Sequence, residues 1–408
     1  MSKPLEGVTV VEVAMWGFVP SCGVLLAEWG ADVIKIEHAR TGDPQRGLSR
    51  MGDFVMGDPN PAFVHPNHGK RSIGLDVANP QARELLGELV RDADVFLTSF
   101  LPAARRKLKI DIADIRNDNA NIIYARGSAL GVRGDESENG GYDMTAFWAR
   151  ASTAASITPR DLDGMIGPPG PAYGDTISGS NLAGGIAAAL FRRERTGQGS
   201  VVDVSLLGSG VWAMGMSIDA SILQNKAWVG QTSGIYVAPY NPLTGTFRTG
   251  DGRLLTLVML QPGRYWADVC RHIERPELID DPRFSSHDAL VENSAAATEI
   301  LRAVFLGRTL AQWTERFRTL EGPWAPVQDT VQVISDHQVR ANGMIGPILG
   351  DDGEPLGYDI VSGPVQFDEE PPLLRRAPEF AEHTESLLME RGISWERIAA
   401  LKESGAIT

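Results

Sequence analysis

The N-terminal segment most constrains the fold, because it holds two apolar runs with a helical segment between them. The run VTVVEV (residues 8–13) is continuous and rich in β-branched residues, which predicts a buried strand. Pro20 suits a first helical turn and Gly30 suits a helix end, after which ADVIKIE (residues 31–37) predicts a second strand. A strand, a helix and a strand in this order are typical of a parallel sheet. We therefore predict an α/β fold.

The whole chain divides by pattern into three segments. Further strands are predicted at RSIGLDV, DVFLTSF, NIIYARG and SVVDVSLL, after which the loop-rich SGIYVAPYNPLTG marks a crossing between domains. A hairpin turning at Asp251 and Gly252 follows, then two long helical segments, and the tail predicts strands at MIGPIL and GPVQF and two helices. We predict that residues 1–224 form the first part of a large domain, 225–328 a small α+β domain, and 329–408 a return to the large domain.

Composition excludes several classes of protein. The formal net charge of −14 argues against nucleic acid as a partner, because phosphate binding needs a basic surface. Two cysteines, Cys22 and Cys270, exclude a disulfide scaffold, and neither has a second ligand at zinc-binding spacing. The chain has no apolar run of membrane-spanning length, and MSKPLEGVTVVEV lacks the pattern of a secretory signal. We expect a cytoplasmic protein with no membrane partner and no metal site.

Two patterns near predicted strand ends bear on ligand binding. The first turn, MWGFVPSCG, has one glycine followed by two bulky residues and a proline, so it lacks the G-x-G-x-x-G motif and a nicotinamide cofactor is not expected. Lys70 and Arg71, and the RRKLK run (residues 105–109), are basic clusters near sheet edges, where α/β proteins bind ligands. These clusters are either phosphate contacts or solvated surface charge.

Asp175 lies where a loop of glycines and prolines meets a helix of small residues, in GPPGPAYGDTISGSNLAGGIAAAL (residues 167–190). One interpretation is a helix N-cap, since aspartate is among the best caps. The other is a nucleophile, because the helix dipole favours the ionised carboxylate and the glycines leave room for a substrate and for backbone donors. The residues alone permit both interpretations.

Several motifs are similar to one family along nearly the whole chain. They are PLEGVTVVEV, LLAEWGADVIKIE with a following GDP, NHGKRSIGLDV, GYDMTAF, YGDTISGSNLAGGIAAALFRRERTGQGSVVDVSLL and RAPEFAEHTESLL. The chain resembles the class III CoA-transferases, which include formyl-CoA transferase, carnitine CoA-transferase and α-methylacyl-CoA racemase. The resemblance implies a Rossmann-like large domain made from both chain ends, a small inserted domain, and a homodimer of two interlocked chains.

The resemblance also implies a mechanism and a set of site residues. Asp175 would attack the donor thioester, pass through a mixed anhydride and an aspartyl-CoA thioester, and hand CoA to an acceptor carboxylic acid. Coenzyme A would be a substrate, with no prosthetic group. The CoA contacts implied by position are His38, Arg40, Lys70, Arg71, Ser72, Ile73 and Lys107.

Departures from the family pattern bear on the reaction and the substrate. Tyr142 stands where the racemases have a histidine before the aspartate of GYD, and tyrosine is a poor base at neutral pH, which favours transfer over racemisation. Gly17 replaces a glutamine of formyl-CoA transferase, and APYNPLTG replaces its glycine-run lid. Trp16 and Phe18 place aromatic surface near the expected acyl pocket, which predicts a bulkier, partly apolar acid. The alternatives are an α-methylacyl-CoA racemase or epimerase, and a non-catalytic protein that binds CoA esters.

Overall fold

The computed structural model describes residues 3–230 and 234–408 of the chain. The predicted crossing between domains begins inside the gap at residues 231–233, and that part of it lies outside the described residues. The chain separates into two compact units. One consists of Met1–Thr158, Gly164–Gly230 and His337–Thr408, and the other of Pro159–Asp163 and Gln231–Asp336.

The described residues form strands and helices in alternation through much of the chain. The strands are β1 (Thr9–Val13), β2 (Asp32–Glu37), β3 (Arg50–Met51), β4 (Phe54–Val55), β5 (Arg71–Gly74), β6 (Val95–Thr98), β7 (Ile123–Ser128), β8 (Val201–Ser205), β9 (Thr244–Arg248), β10 (Leu254–Val258), β11 (Trp324–Pro326), β12 (Ile345–Leu349) and β13 (Pro355–Val361). The helices are α1 (Phe18–Glu28), α2 (Pro61–Asn67), α3 (Pro80–Arg91), α4 (Pro102–Leu108), α5 (Ile112–Asp118), α6 (Thr153–Ile157), α7 (Tyr173–Thr196), α8 (Leu206–Ala213), α9 (Gly215–Gln224), α10 (Pro262–His272), α11 (His287–Glu292), α12 (Ser294–Phe305), α13 (Leu310–Arg316), α14 (Thr330–Ile334), α15 (His337–Ala341), α16 (Thr384–Glu390) and α17 (Trp395–Glu403).

The larger unit is built on a six-stranded sheet in the order β5-β2-β1-β6-β7-β8, with every neighbouring pair parallel. The predicted α/β fold with a parallel sheet is therefore confirmed. The chain winds outward from β1 through β2 to β5, and then returns across β1 to β6. This reversal creates a crevice outside the carboxyl ends of β1 and β6, which is where open α/β sheets bind ligands.

The sheet is buried on both faces because its strands place apolar residues on both. Alternation along β1 puts Val11 in one core cluster and Val10 in the other. The first cluster includes residues of α3, α16 and α17, and the second includes residues of α1 and α7. Helices α1 and α7 approach closely at Gly179, where an added Cβ would lie 2.7 Å from Cβ of Ser21.

The C-terminal part of the chain packs against the β5 edge of the sheet. The His383 amide donates to the Ser72 carbonyl at 2.8 Å, and Leu75 forms an isolated bridge with Ile407. The strand predicted at GPVQF is wrong, because β13 ends before this segment and pairs antiparallel with β12. The Gly363 amide donates instead to the Glu28 carboxylate at 2.9 Å, and the proline that follows has no N–H to offer a strand.

The smaller unit has an antiparallel sheet in the order β11-β10-β9. The predicted hairpin is confirmed, with Gly252 in a left-handed conformation (φ 78°) at its turn. The second of the two long helical segments predicted after the hairpin is divided into α12 and α13, because Thr309 starts α13 with a capping box to Gln312.

In the part of the chain that the structure describes, no single helix has the length and apolar composition of a membrane span. Helices α8 and α9 reach the length and apolar composition of a span only when they are counted together, and they meet at a bend of 71°.

Candidate active site

Helix α7 presents Asp175 in its first turn and not at its cap. The N-cap is Ala172, which adopts a left-handed conformation (φ 56°) and makes no side-chain capping bond. The interpretation of Asp175 as the N-cap is therefore wrong. The missing cap comes from a distant residue, since Oδ2 of Asp143 accepts a hydrogen bond from the Gly174 amide at 3.0 Å. This leaves the Asp175 carboxyl available for another role.

The Asp175 carboxyl lies directly against Gly17, the N-cap residue of α1. A Cβ added to Gly17 would be 2.4 Å from Oδ2 of Asp175, so any side chain there would displace the carboxyl. Gly179 lies one helical turn beyond Asp175 on the same face of α7, and its lack of a side chain permits the close approach of α1. The N-terminal ends of two helices therefore converge on this carboxyl.

The environment of Asp175 raises its pKa to about 7. Burial is the larger cause, and the nearby carboxylate of Asp143 is the second. The helix dipole was expected to favour the ionised form, but burial and the like charge outweigh it. Burial also raises the pKa of Asp143, although hydrogen bonds from the amides of Gly174 and Tyr173 oppose this effect.

A pocket of about 870 Å³ opens beside Asp175, at the carboxyl ends of β1, β6 and β7. It therefore occupies the crevice where the strand order reverses. Of the predicted pocket residues, Trp16, Phe18 and Tyr142 line it together with Asp175. Trp16 and Tyr142 meet edge to face with ring centroids 6.2 Å apart, and form an aromatic wall. The predicted pocket residue Gly17 contacts the carboxyl itself.

The pocket lining also contains three arginines, each paired with a carboxylate, and this part of the lining was only partly visible in the sequence. These are Arg105, Arg106 and Arg126. The first two belong to the RRKLK run, whereas nothing in the sequence around Arg126 distinguished it. Arg106 makes a bidentate pair with Glu138, at 2.8 and 3.0 Å. An anionic ligand would therefore compete with the Glu138 carboxylate for the Arg106 guanidinium.

None of the seven predicted CoA contacts lines this pocket. His38, Arg40 and Lys107 have exposed side chains. Arg71 pairs with Asp32 at 2.5 Å and with Glu390 at 2.6 Å. The role of these residues in CoA binding stays a prediction.

The other three predicted contacts are buried. Nζ of Lys70 donates to both carboxylate oxygens of Glu12, at 2.8 and 2.9 Å. The Ser72 hydroxyl donates to Glu37 at 2.6 Å, and Ile73 is in the core. In this conformation the side chains of Lys70, Ser72 and Ile73 are not presented to a ligand, and the C-terminal segment bonds backbone groups of β5 at Ser72 and Gly74.

Comparison with known proteins identifies the family of the chain. The model of CoA-transferase family III matches residues 5–384. The chain belongs to this family. It is 29% identical to (R)-2-hydroxy-4-methylpentanoate CoA-transferase of Clostridioides difficile over 99% of both chains, and 27% identical to cinnamoyl-CoA:phenyllactate CoA-transferase of Clostridium sporogenes over 98% of this chain and 96% of that one.

A solved structure supports the same assignment for the fold. A CAIB/BAIF family protein from Brucella suis superposes with a TM-score of 0.80 at 26% identity, covering 96% of this chain and 100% of that one. The predicted family resemblance is confirmed, and the chain is a class III CoA-transferase.

Proposed function

We propose that this transferase moves CoA between two carboxylic acids through covalent intermediates on Asp175. One observation carries the proposal: a carboxyl with a pKa near 7 lies against a glycine beside a pocket of about 870 Å³. A carboxylate must be ionised to act as a nucleophile, and a carboxyl with this pKa is ionised to a large extent at neutral pH.

The proposed reaction has four exchanges at three carbonyl carbons, those of the donor acyl group, Asp175 and the acceptor acyl group. An Asp175 oxygen attacks the donor thioester carbon, the C–S bond breaks, and the CoA thiolate leaves behind a mixed anhydride. The thiolate then attacks the Asp175 carbonyl carbon, which releases the donor acid as its carboxylate and forms an aspartyl-CoA thioester. The acceptor carboxylate attacks that thioester to give a second anhydride and free thiolate. Attack of this thiolate on the acceptor acyl carbon forms the new acyl-CoA and regenerates Asp175.

The pocket walls support an acid with a bulky apolar side chain as substrate. Trp16, Phe18 and Tyr142 give one part of the pocket a large aromatic surface, which favours burial of apolar groups. The two relatives above are named for acids with branched aliphatic or aromatic side chains. A racemase is less favoured, because both relatives are transferases and Tyr142 occupies the position of the second base.

CoA would lie along the larger unit, and we propose the exposed side chains of His38, Arg40 and Lys107 as its phosphate contacts. Arg40→Ala and Lys107→Ala are expected to raise the dissociation constant of CoA measured by calorimetry. Unchanged affinity in both variants would place the phosphates elsewhere.

We also propose that two chains associate. Helices α8 and α9 expose large apolar side chains, with Trp212, Met216 and Leu223 each more than 80% exposed. Apolar faces of this kind are typical of protein interfaces. Sedimentation is expected to give a dimer at micromolar concentration, and a monomer there would count against the proposal.

The transferase proposal is tested by incubating the enzyme with an acyl-CoA and a second carboxylic acid, and following both thioesters by chromatography. Wild type is expected to form the second acyl-CoA, and Asp175→Asn to form none above background. The enzyme and the acyl-CoA alone in deuterium oxide give a test of the alternative. Exchange at Cα without an acceptor, in the absence of transfer, would favour the racemase.

A further inference from the structure

A cluster of fully buried charged side chains lies beneath the turn that faces Asp175. Glu12 on β1 and Lys35 on β2 have no exposed surface, and Asp43 is almost fully buried. Nζ of Lys35 lies 3.3 Å from Oε1 of Glu12 and 2.9 Å from Oδ2 of Asp43. Although burial opposes it, these carboxylates raise the pKa of Lys35, so its ammonium group stays charged.

This cluster is bonded to the backbone of the turn between β1 and α1. Lys35 donates to the Ala14 carbonyl at 3.1 Å, and Oδ1 of Asp43 accepts a hydrogen bond from the Trp16 amide at 3.4 Å. Lys70 donates to the Pro20 carbonyl at 2.9 Å. The turn is therefore held at two backbone groups, and the start of α1 at a third, by three buried side chains.

The turn needs this support because its conformation is unfavourable on its own. Trp16 has a left-handed backbone (φ 69°), which is uncommon for a bulky residue and persists only when surrounding contacts impose it. The next residue is Gly17, whose backbone lies against Oδ2 of Asp175. A change in the Trp16 backbone would therefore move the surface that confines the carboxyl.

We propose that Asp43 and Lys35 are positioning residues, which hold residues 14–17 so that Gly17 confines the Asp175 carboxyl in its reactive orientation. The inference rests on the proposed role of Asp175 as nucleophile. Buried ion pairs are weak contributors to stability compared with apolar packing, so stability alone gives little reason for this cluster. Orientation of a reacting group is a stronger reason, because a displacement of about 1 Å changes rates by roughly 100-fold.

Three variants separate positioning from general stability. Asp43→Ala removes the acceptor for the Trp16 amide, whereas Asp43→Asn keeps an oxygen acceptor and loses only the charge. Glu28→Gln is the matched control, because Glu28 is also buried on α1 and paired with His68 at 2.8 Å, but at the far end of the helix from Gly17.

The measurement is the rate of adduct formation at Asp175 after mixing with an acyl-CoA, followed by quenching and mass spectrometry between pH 5 and 9. Asp43→Ala is expected to slow the reaction by about 10- to 100-fold. The acid limb of the pH–rate profile of Asp43→Ala should also move to lower pH, because a relaxed turn admits water to Asp175 and so lowers its pKa. The carboxylate of Asp143, the second cause of the raised pKa, is unchanged in this variant. Asp43→Asn should recover most of the rate, and Glu28→Gln should keep both the rate and the limb.

Three results would overturn the inference: an unchanged rate and acid limb in folded Asp43→Ala, an equal loss in Glu28→Gln, or no recovery of rate in Asp43→Asn. If Asp43→Ala does not fold, Asp43→Ser takes its place, because serine can still cap the Gln45 amide that Asp43 caps at 3.0 Å. Failure of the proposed function gives a different result, which is the absence of any Asp175 adduct in wild type.

Discussion

Replacing Asp175 with asparagine should stabilise the protein, and the gain should grow with pH. The structure raises the pKa of Asp175 from its ordinary 3.8 to about 7. Between these values the unfolded carboxyl is ionised while the folded one keeps its proton, so the stability that comes from tighter proton binding is lost as the pH rises to 7. Each pKa unit corresponds to about 1.4 kcal/mol, which sets an upper limit of roughly 4 kcal/mol on the loss.

Partial solvent access to Asp175 reduces this value. Between pH 5 and pH 8 we expect the free energy of unfolding of Asp175→Asn to gain roughly 1 to 3 kcal/mol relative to that of wild type. Thermal unfolding of both proteins at the two pH values measures this difference. For a chain of this size, 1 kcal/mol shifts the melting temperature by about 2 °C or less. Asp135→Asn, at an exposed carboxyl, makes the same chemical change as a control. Equal melting temperatures of Asp175→Asn and wild type at pH 8, or a gap that does not change with pH, would refute the account of a buried carboxyl held near neutrality.

Three further predictions concern the surroundings of the carboxyl. Gly17→Ala should fold but lose transfer activity by about 100-fold in steady-state assays, because its Cβ displaces the Asp175 oxygen from 2.4 Å away; near-normal activity would show that the carboxyl tolerates movement. Asp143→Asn keeps an acceptor for the Gly174 amide but removes a like charge, so the acid limb of the pH–rate profile should shift to lower pH; a shift to higher pH contradicts this. Trp16→Ala should raise KM for donors with bulky apolar acyl groups more than for acetyl-CoA, and an equal change for both would remove the aromatic wall from substrate selection.

The fold was largely predictable because its signal is local. The apolar runs of β1 and β2, with Gly30 closing the helix between them, are read directly from residue type and spacing. Residue type and spacing wrongly predicted a strand at GPVQF, where the Gly363 amide donates to the Glu28 carboxylate. That partner is 335 residues away in the chain, so no local pattern could reveal it.

The sequence singled out Asp175 as a candidate nucleophile, which stays a prediction, but it gave little about the surroundings of this residue. Flanking glycines and the family motif both pointed to Asp175. Its raised pKa was not predictable, because it depends on burial and on Asp143 in a different element. Lys70 shows the same limit, since its sequence neighbours indicate a basic cluster whereas its partner is Glu12 on β1.

The central claim is most directly tested by intact-protein mass spectrometry after mixing with short, branched, dicarboxylic and aromatic acyl-CoAs, with hydroxylamine as the trap. Wild type and Asp175→Asn are compared side by side. The account predicts a modification that maps to Asp175 in wild type and is absent from the variant. Transfer of CoA by wild type with no modification at Asp175, or the same modification in the variant, would contradict it.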